Sequence, residues 1–164
     1  MAEEFELKRI TAKGLDAAVA RAEHYRLLNQ PRLAQSICFD VLEVDPDNQN
    51  ALVALVLAMS DEFAAGSASP NGARGHTAKL TDEYQRHYYN GIIAEREGRA
   101  LMGRGPAAAL AYHAFRDAMD HYEKAEALRP EGNDDAILRW NACVRTIRDA
   151  NLRPPPPDEP QLLE

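Results

Sequence analysis

Three side chains of the kind that bind metal ions recur at a helical interval in the second half of the chain: His113, Asp117 and His121. Residues four positions apart lie on one face of an α-helix, and imidazole and carboxylate groups are common ligands of zinc and related ions. The apolar stripe of the same segment passes through Ala114 and Ala118, however, which places His113 and Asp117 on the solvated flank. The pattern therefore favours surface side chains, and a metal-binding regulator is the weaker interpretation.

A second polar cluster lies in the stretch ILRWNACVRTIRD, from residue 137 to 149. Helical spacing puts Asn141, Arg145 and Arg148 on one face, where arginine and asparagine side chains can bind carboxylates or a peptide backbone. The alternative is that these arginines are solvated or pair with the protein's own carboxylates, because surface ion pairs are common and often contribute little. We take Arg139, Asn141, Arg145 and Arg148 as candidate contacts with a partner.

The two cysteines, Cys38 and Cys143, lie in apolar helical patterns and form no C-x-x-C pair. We therefore expect buried free thiols in a reducing compartment.

The chain has no P-loop, G-x-G-x-x-G, G-x-S-x-G or H-E-x-x-H motif, so the sequence predicts neither an enzyme nor a cofactor. The opening MAEEFELKRI lacks the apolar core of a signal peptide, and no apolar run reaches the roughly 20 residues of a membrane span. We predict a cytoplasmic protein with no membrane span.

The composition is that of a globular chain of 164 residues, with 45% hydrophobic and 27% charged residues. That length fits one domain and suffices to bury a core. The formal net charge is −7, which argues against nucleic acid as a partner because phosphate binding depends on clustered Lys and Arg. A local basic patch can still exist on an acidic body. The charged run at 95–99 is typical of a solvated, ion-paired helix face.

Apolar residues recur every three or four positions along almost the whole chain, which is the helical period. We predict six helices, at about 15–28, 32–44, 49–64, 81–102, 107–128 and 134–150. The third is apolar on most faces and should be buried, and the fourth and fifth, each about 33 Å long, should form a long antiparallel hairpin. Small and turn-forming residues predict a mobile loop at 66–78. Residues 1–14 form an N-terminal extension for which a helical start remains open, and 151–164 a Pro-rich, acidic tail that we expect to be disordered.

Two stretches repeat the same spacing of small, large and proline residues. They are Ala34-x3-Cys38-x2-Val41-x4-Pro46 and Ala118-x3-Tyr122-x2-Ala125-x4-Pro130. A small residue lets two helices approach, a larger one fills the gap, and proline closes the unit. This spacing resembles the second helix of a tetratricopeptide repeat (TPR), and the stretch KAEALRP is especially similar to that family. Gly91 is a candidate for the small residue of an enlarged middle repeat.

The resemblance implies an all-α, TPR-like solenoid of helical hairpins over most of residues 15–150, with one elongated hairpin and a concave groove lined by the first helix of each pair. In this family the groove usually binds a peptide or helix of a partner protein. The positions that form a carboxylate clamp in some members hold other residue types here, except for Asn141, which predicts a more apolar groove. Tyr88 and Ile92 occupy such positions and join the candidate partner contacts.

The function that the sequence supports is protein binding, as an adaptor or scaffold. Two alternatives stay open: a small acidic chaperone for a secreted or assembling partner, and a scaffold that assembles with copies of itself. A partner that is soluble only on co-expression would indicate the chaperone, and the molecular mass in solution would indicate self-assembly.

Overall fold

The computed structural model describes residues 4–157, and over that range the chain is all-α, without a β-strand. The seven α-helices of this range are α1 (Leu15–Leu27), α2 (Pro31–Val44), α3 (Gln49–Ser60), α4 (Pro70–Thr77), α5 (Glu83–Met102), α6 (Ala111–Leu128) and α7 (Asp135–Asp149). The predicted all-α class is confirmed. Among the described helices, none combines the length and the apolar composition needed to cross a membrane.

Neighbouring helices pack against each other in chain order, from α1 on α2 to α6 on α7. In addition, α1 contacts α3 and α3 contacts α5. Helices α1, α3 and α5 therefore lie side by side, and each of them pairs with the even-numbered helix that follows. With 20 and 18 residues, α5 and α6 are the longest of the described helices.

The segment predicted to be a mobile loop at 66–78 contains α4, so that prediction is wrong. The helix begins at Pro70, a residue suited to the first turn because it lacks the N–H that would remain unpaired there. The Ser69 side chain caps the helix by accepting a hydrogen bond from the Gly72 amide at 2.9 Å. Helix α4 packs against α3, the third predicted helix, and so completes a hairpin that the sequence pattern did not reveal.

Tertiary contacts hold α4 in place. Ala73 belongs to a buried core cluster, the Thr77 hydroxyl donates to Asn90 Oδ1 at 2.6 Å, and Arg74 pairs with Glu97 at 2.7 Å. A short helix with two glycines has weak intrinsic stability, so these contacts with neighbouring helices supply what the local sequence lacks.

The other boundaries differ from the predictions by smaller amounts. α3 ends at Ser60, and α6 begins at Ala111 because Gly105–Leu110 forms a 3-10 helix. Residues 4–11 have no regular secondary structure and Ala12–Gly14 is a 3-10 turn, so the described part of the N-terminal extension is not α-helical. Residues 152–157 also lack regular secondary structure, and the acidic end of the predicted tail lies outside the described residues.

The core follows the repeated sequence pattern. The six helical positions of the two matched stretches are all buried, at 0–1% exposure. As predicted from its composition, α3 is largely buried, with seven buried residues. Cys38 and Cys143 are buried and free.

Glycine faces an aromatic ring at two points along the contact between α5 and α6. A Cβ atom at Gly91 would lie 2.5 Å from Cε1 of Tyr122, and one at Gly98 would lie 2.9 Å from Cε2 of Phe115. Both distances are far inside van der Waals contact, so a larger residue requires the ring to move. Gly91 therefore lets two helices approach, as the sequence pattern predicted.

Candidate functional site

An open groove of about 750 Å³ lies beside the C-terminal halves of α1, α3 and α5 and is bordered by α7. Its lining combines apolar side chains with four arginines and two carboxylates. These charged residues are Arg26, Arg96, Arg99, Arg139, Asp61 and Glu95. The apolar part includes Leu27, which is 81% exposed. We call this feature the arginine groove.

Asp61, directly after α3, holds two of the four arginines. Arg26 donates to it from Nε at 2.7 Å and from Nη2 at 3.2 Å, which makes a two-point pair. Arg96 also donates to Asp61, from Nη1 to Oδ1. The three side chains are only 22–25% exposed. One carboxylate therefore links α1 and α5 and faces two positive charges.

Glu95 on α5 is a carboxylate with only 4% of its side chain exposed. Its Oε2 accepts a hydrogen bond from Arg139 Nη1 at 3.1 Å and lies 3.6 Å from Arg99 Nε. Its Oε1 accepts from the Tyr122 hydroxyl at 3.2 Å and from Cys143 Sγ at 3.6 Å. A buried carboxylate is tolerated only when charge and hydrogen bonds compensate for lost solvation, and here α5, α6 and α7 supply both.

The two neutral donors to Glu95 stay protonated at neutral pH. Burial raises the pKa of Tyr122 far above its usual range, and the adjacent Glu95 carboxylate adds to that effect. Burial also raises the pKa of Cys143 to about 12, again with a contribution from Glu95. A protonated thiol is a hydrogen-bond donor, which is the role that Cys143 has toward Glu95.

Three of the predicted partner contacts lie on or close to the contact between α5 and α7. Arg139 lines the arginine groove, and its Nε donates to the Tyr88 hydroxyl at 3.1 Å. The pairing of Arg139 with Glu95 corresponds to the alternative in which the arginine binds the protein's own carboxylate. Ile92 is only 2% exposed and packs in the core, so its prediction as an accessible contact is wrong.

The other three predicted contacts, Asn141, Arg145 and Arg148, are outside the lining of the arginine groove. Asn141 is half-buried, whereas Arg145 and Arg148 are exposed. The helix face that they share therefore remains a separate surface, and their role as partner contacts stays a prediction.

The residues considered as metal ligands do not come together as a set. Nε2 of His121 lies 3.8 Å from Oδ1 of Asp117, but His113 is exposed and lies about two turns before His121, near the start of α6. Between residues 4 and 157, no group of three or more His, Cys, Asp or Glu side chains is placed to hold a metal ion. His121 instead faces His87 on α5, with 6.3 Å between ring centroids. Burial lowers the pKa of His121, and Asp117 partly opposes that effect.

Most of the arginine groove was not predicted from the sequence. The run at 95–99 was expected to be solvated, which is wrong for Glu95. One local signal was available, because Glu95 follows Tyr88 and Gly91 at helical spacing and so continues the face that packs on α6. No local signal connects Asp61 with Arg26, since 35 positions separate them.

The fold and the groove define an all-α protein of helical hairpins with a mixed-charge groove beside its odd-numbered helices. A scan of protein-family models, a search of curated proteins and a search of solved structures each found no match to this chain. The TPR resemblance therefore stays a prediction that rests on the spacing of residues.

Proposed function

We propose that the chain is a protein-interaction module, an adaptor or scaffold, that binds a peptide or helix of a partner protein in the arginine groove. The observation that carries this proposal is the groove itself, which is open, has a volume of about 750 Å³ and is lined by residues of α1, α3, α5 and α7. It combines the exposed Leu27 with several arginines. Arginine is among the residue types that contribute most at protein interfaces, and an exposed leucine adds apolar area that a partner can bury.

The state of the polar groups that line the groove, and of the buried Cys143 that donates to Glu95, supports binding over catalysis. Cys143 is held as a neutral thiol against Glu95, and Glu95 itself is enclosed by arginine and tyrosine donors. The Ser60 hydroxyl donates to the carbonyl of Leu57 in its own helix at 2.7 Å. These groups are engaged in structural hydrogen bonds, and none of them forms the nucleophile and base pair that a covalent mechanism requires.

Substitution of the exposed apolar residue tests the proposal. Leu27→Asp places a charge at the apolar part of the groove, and Leu110→Asp, at a residue that is 54% exposed and outside the groove, is the matched control. Each tagged form is purified from the native cells, and the co-eluting proteins are quantified by mass spectrometry. We expect Leu110→Asp to retain the partners of the unmodified chain and Leu27→Asp to recover them at least about tenfold less, a loss of about 1.4 kcal/mol. Equal recovery by both variants contradicts binding in the groove.

A further inference from the structure

We infer that the arginine groove binds an acidic segment of its partner, with two carboxylate side chains at alternate positions of an extended chain. This inference rests on the proposed function, because it names the chemistry of the segment that the groove receives. Two observations support it: the lining of the groove has a net positive charge, and two of its arginines are not needed to neutralise its carboxylates.

The lining of the arginine groove has a local excess of positive charge. It contains four arginines against two carboxylates, so four positive charges minus two negative charges leave a difference of +2. The whole chain has the opposite sign, with a formal net charge of −7. An acidic ligand is therefore repelled by the protein as a whole and attracted at this groove, which favours one docking position.

One arginine for each carboxylate already balances the charge. Arg26 makes a two-point contact with Asp61, and Arg139 donates to Glu95 at 3.1 Å. The second arginine beside each carboxylate is therefore not required to neutralise it. This arginine is Arg96 beside Asp61 and Arg99 beside Glu95. These two arginines supply the positive excess.

Arg96 and Arg99 also have donor groups to offer. Arg99 is 48% exposed, and its polar contacts within residues 4–157 are long, at 3.6 Å to Glu95 Oε2 and at 3.5 Å to Thr146 Oγ1. Its guanidinium group also lies over the Phe115 ring, 5.8 Å from the ring centroid. Within the described chain, Arg96 donates a hydrogen bond only through Nη1, to Asp61. A guanidinium group has five N–H donors in a planar fork that matches a carboxylate, so each side chain can bind a further acid.

The spacing of the two arginines defines the spacing of the ligand's acids. They are three residues apart on α5, so their Cβ atoms lie about 5–6 Å apart. Side chains two residues apart on one face of an extended peptide are separated by about 6–7 Å. An extended segment with acidic residues at alternate positions therefore places one carboxylate at each arginine. Partial burial strengthens these contacts, because fewer water molecules screen the charges.

Peptide binding tests this inference directly. The probe is a short fluorescein-labelled peptide in which Glu alternates with Ala, and the comparison peptide has Gln in place of each Glu. Fluorescence anisotropy with the full chain measures both dissociation constants. We expect the Glu peptide to bind at least about tenfold more tightly, with a preference that weakens as salt is added. Equal affinity for the two peptides overturns the inference.

Paired substitutions locate the preference. Arg96→Gln combined with Arg99→Gln removes the excess arginines, while Asp61 keeps Arg26 and Glu95 keeps Arg139, so this variant is expected to remain folded. Thermal unfolding checks that point. The matched control, Arg21→Gln with Arg116→Gln, removes the same charge from exposed positions outside the groove that are not candidate partner contacts. We expect the Glu preference to disappear only in the first variant, and its survival there overturns the inference.

The inference and the proposed function fail in different ways. In one outcome, Leu27→Asp loses the partner and Leu110→Asp retains it, but the Glu and Gln peptides bind equally. The groove is then a binding site, and the inference that its ligand is acidic is wrong. If the two leucine variants recover the partner equally, the proposed function itself is wrong.

Discussion

At the scale of single residues, the polar contacts of the site converge on the carboxylate of Glu95. Both of its oxygens accept hydrogen bonds, and its side chain is 4% exposed. The partners come from α5, α6 and α7, so one carboxylate connects three successive helices. A buried polar network of this kind is stabilising only while every member keeps its partners.

Replacing the charge of Glu95 tests that dependence. Glu95→Gln keeps the size of the side chain but removes the charge that faces Arg139, so we expect the free energy of unfolding to fall by about 1–3 kcal/mol. The lower half of that range is expected because Arg139 is 33% exposed and water can partly replace the carboxylate. Urea unfolding measures the change.

The matched control at this scale is Glu123→Gln. Glu123 is exposed and accepts a hydrogen bond from Trp140 Nε1 at 3.2 Å, so its loss should change the free energy of unfolding by less than about 0.5 kcal/mol. A similar effect from both substitutions would show that burial of the Glu95 carboxylate has no special role.

At the scale of helices, the close contact between α5 and α6 depends on the absence of a side chain at Gly91. Gly91→Ala improves the intrinsic helix propensity by about 1 kcal/mol but drives a Cβ atom against the Tyr122 ring. Because Tyr122 is fully buried, we expect overpacking to dominate and the free energy of unfolding to fall by about 1–3 kcal/mol. Thermal or urea unfolding measures it.

Gly75→Ala is the matched comparison for Gly91→Ala. Gly75 lies inside α4, is exposed, and has no atom within 4 Å of a Cβ placed there. This substitution should therefore stabilise the protein by about 0.5–1 kcal/mol, through helix propensity alone. Effects of opposite sign are expected, and a loss of stability at both positions would contradict the packing argument.

The helix α4 gives a second prediction at this scale. Amide hydrogen exchange in solution should show protection over the last turn of α4, where its backbone N–H groups are hydrogen-bonded. Ser69→Ala removes the cap to the Gly72 amide and should reduce protection by about 1 kcal/mol, while the amides of α2 keep their exchange rates. Unprotected amides across residues 70–77 in the unmodified chain would contradict the presence of α4 and support the mobile loop predicted from the sequence.

At the scale of the whole molecule, two buried thiols make the free energy of unfolding depend on pH in the alkaline range. Burial raises the pKa of Cys38 and Cys143 from 9.0 to about 12. Between these values the thiols of the unfolded chain have lost their protons while those of the folded chain keep them. The unfolded state then binds fewer protons, so the free energy of unfolding decreases as the pH rises from about 9 to about 12.

Urea unfolding at a series of pH values measures this decrease. The variant with Cys38→Ala and Cys143→Ala should show a shallower decline over the same range, whatever its stability at neutral pH. Tyr122, whose pKa is also raised by burial, contributes a decline in the same direction that both forms share. Identical slopes for the two forms would contradict the expected thiol contribution.

The fold was predictable where its causes are local. Pro31 and Pro46 follow predicted helix ends, and α1, α2 and α5 have the expected positions within about two residues. The repeated spacing also identified six buried positions, which are Ala34, Cys38, Val41, Ala118, Tyr122 and Ala125. By contrast, α4 was missed because its two glycines and its loop-like composition outweigh the start signal of Ser69 and Pro70, and its stability comes from neighbouring helices.

The sequence by itself determined the helical class, the buried cysteines and the small residue at Gly91, because periodicity and side-chain volume act over one or two helical turns. Only the tertiary structure decided the arginine groove. The pair Arg26 and Asp61 is separated by 35 positions and the pair Glu95 and Arg139 by 44, so no local pattern joins them. Ile92 became a core residue and Arg139 a groove residue for the same reason. The packing of the helices, and not the type of side chain, determines which charged or apolar face stays open to solvent.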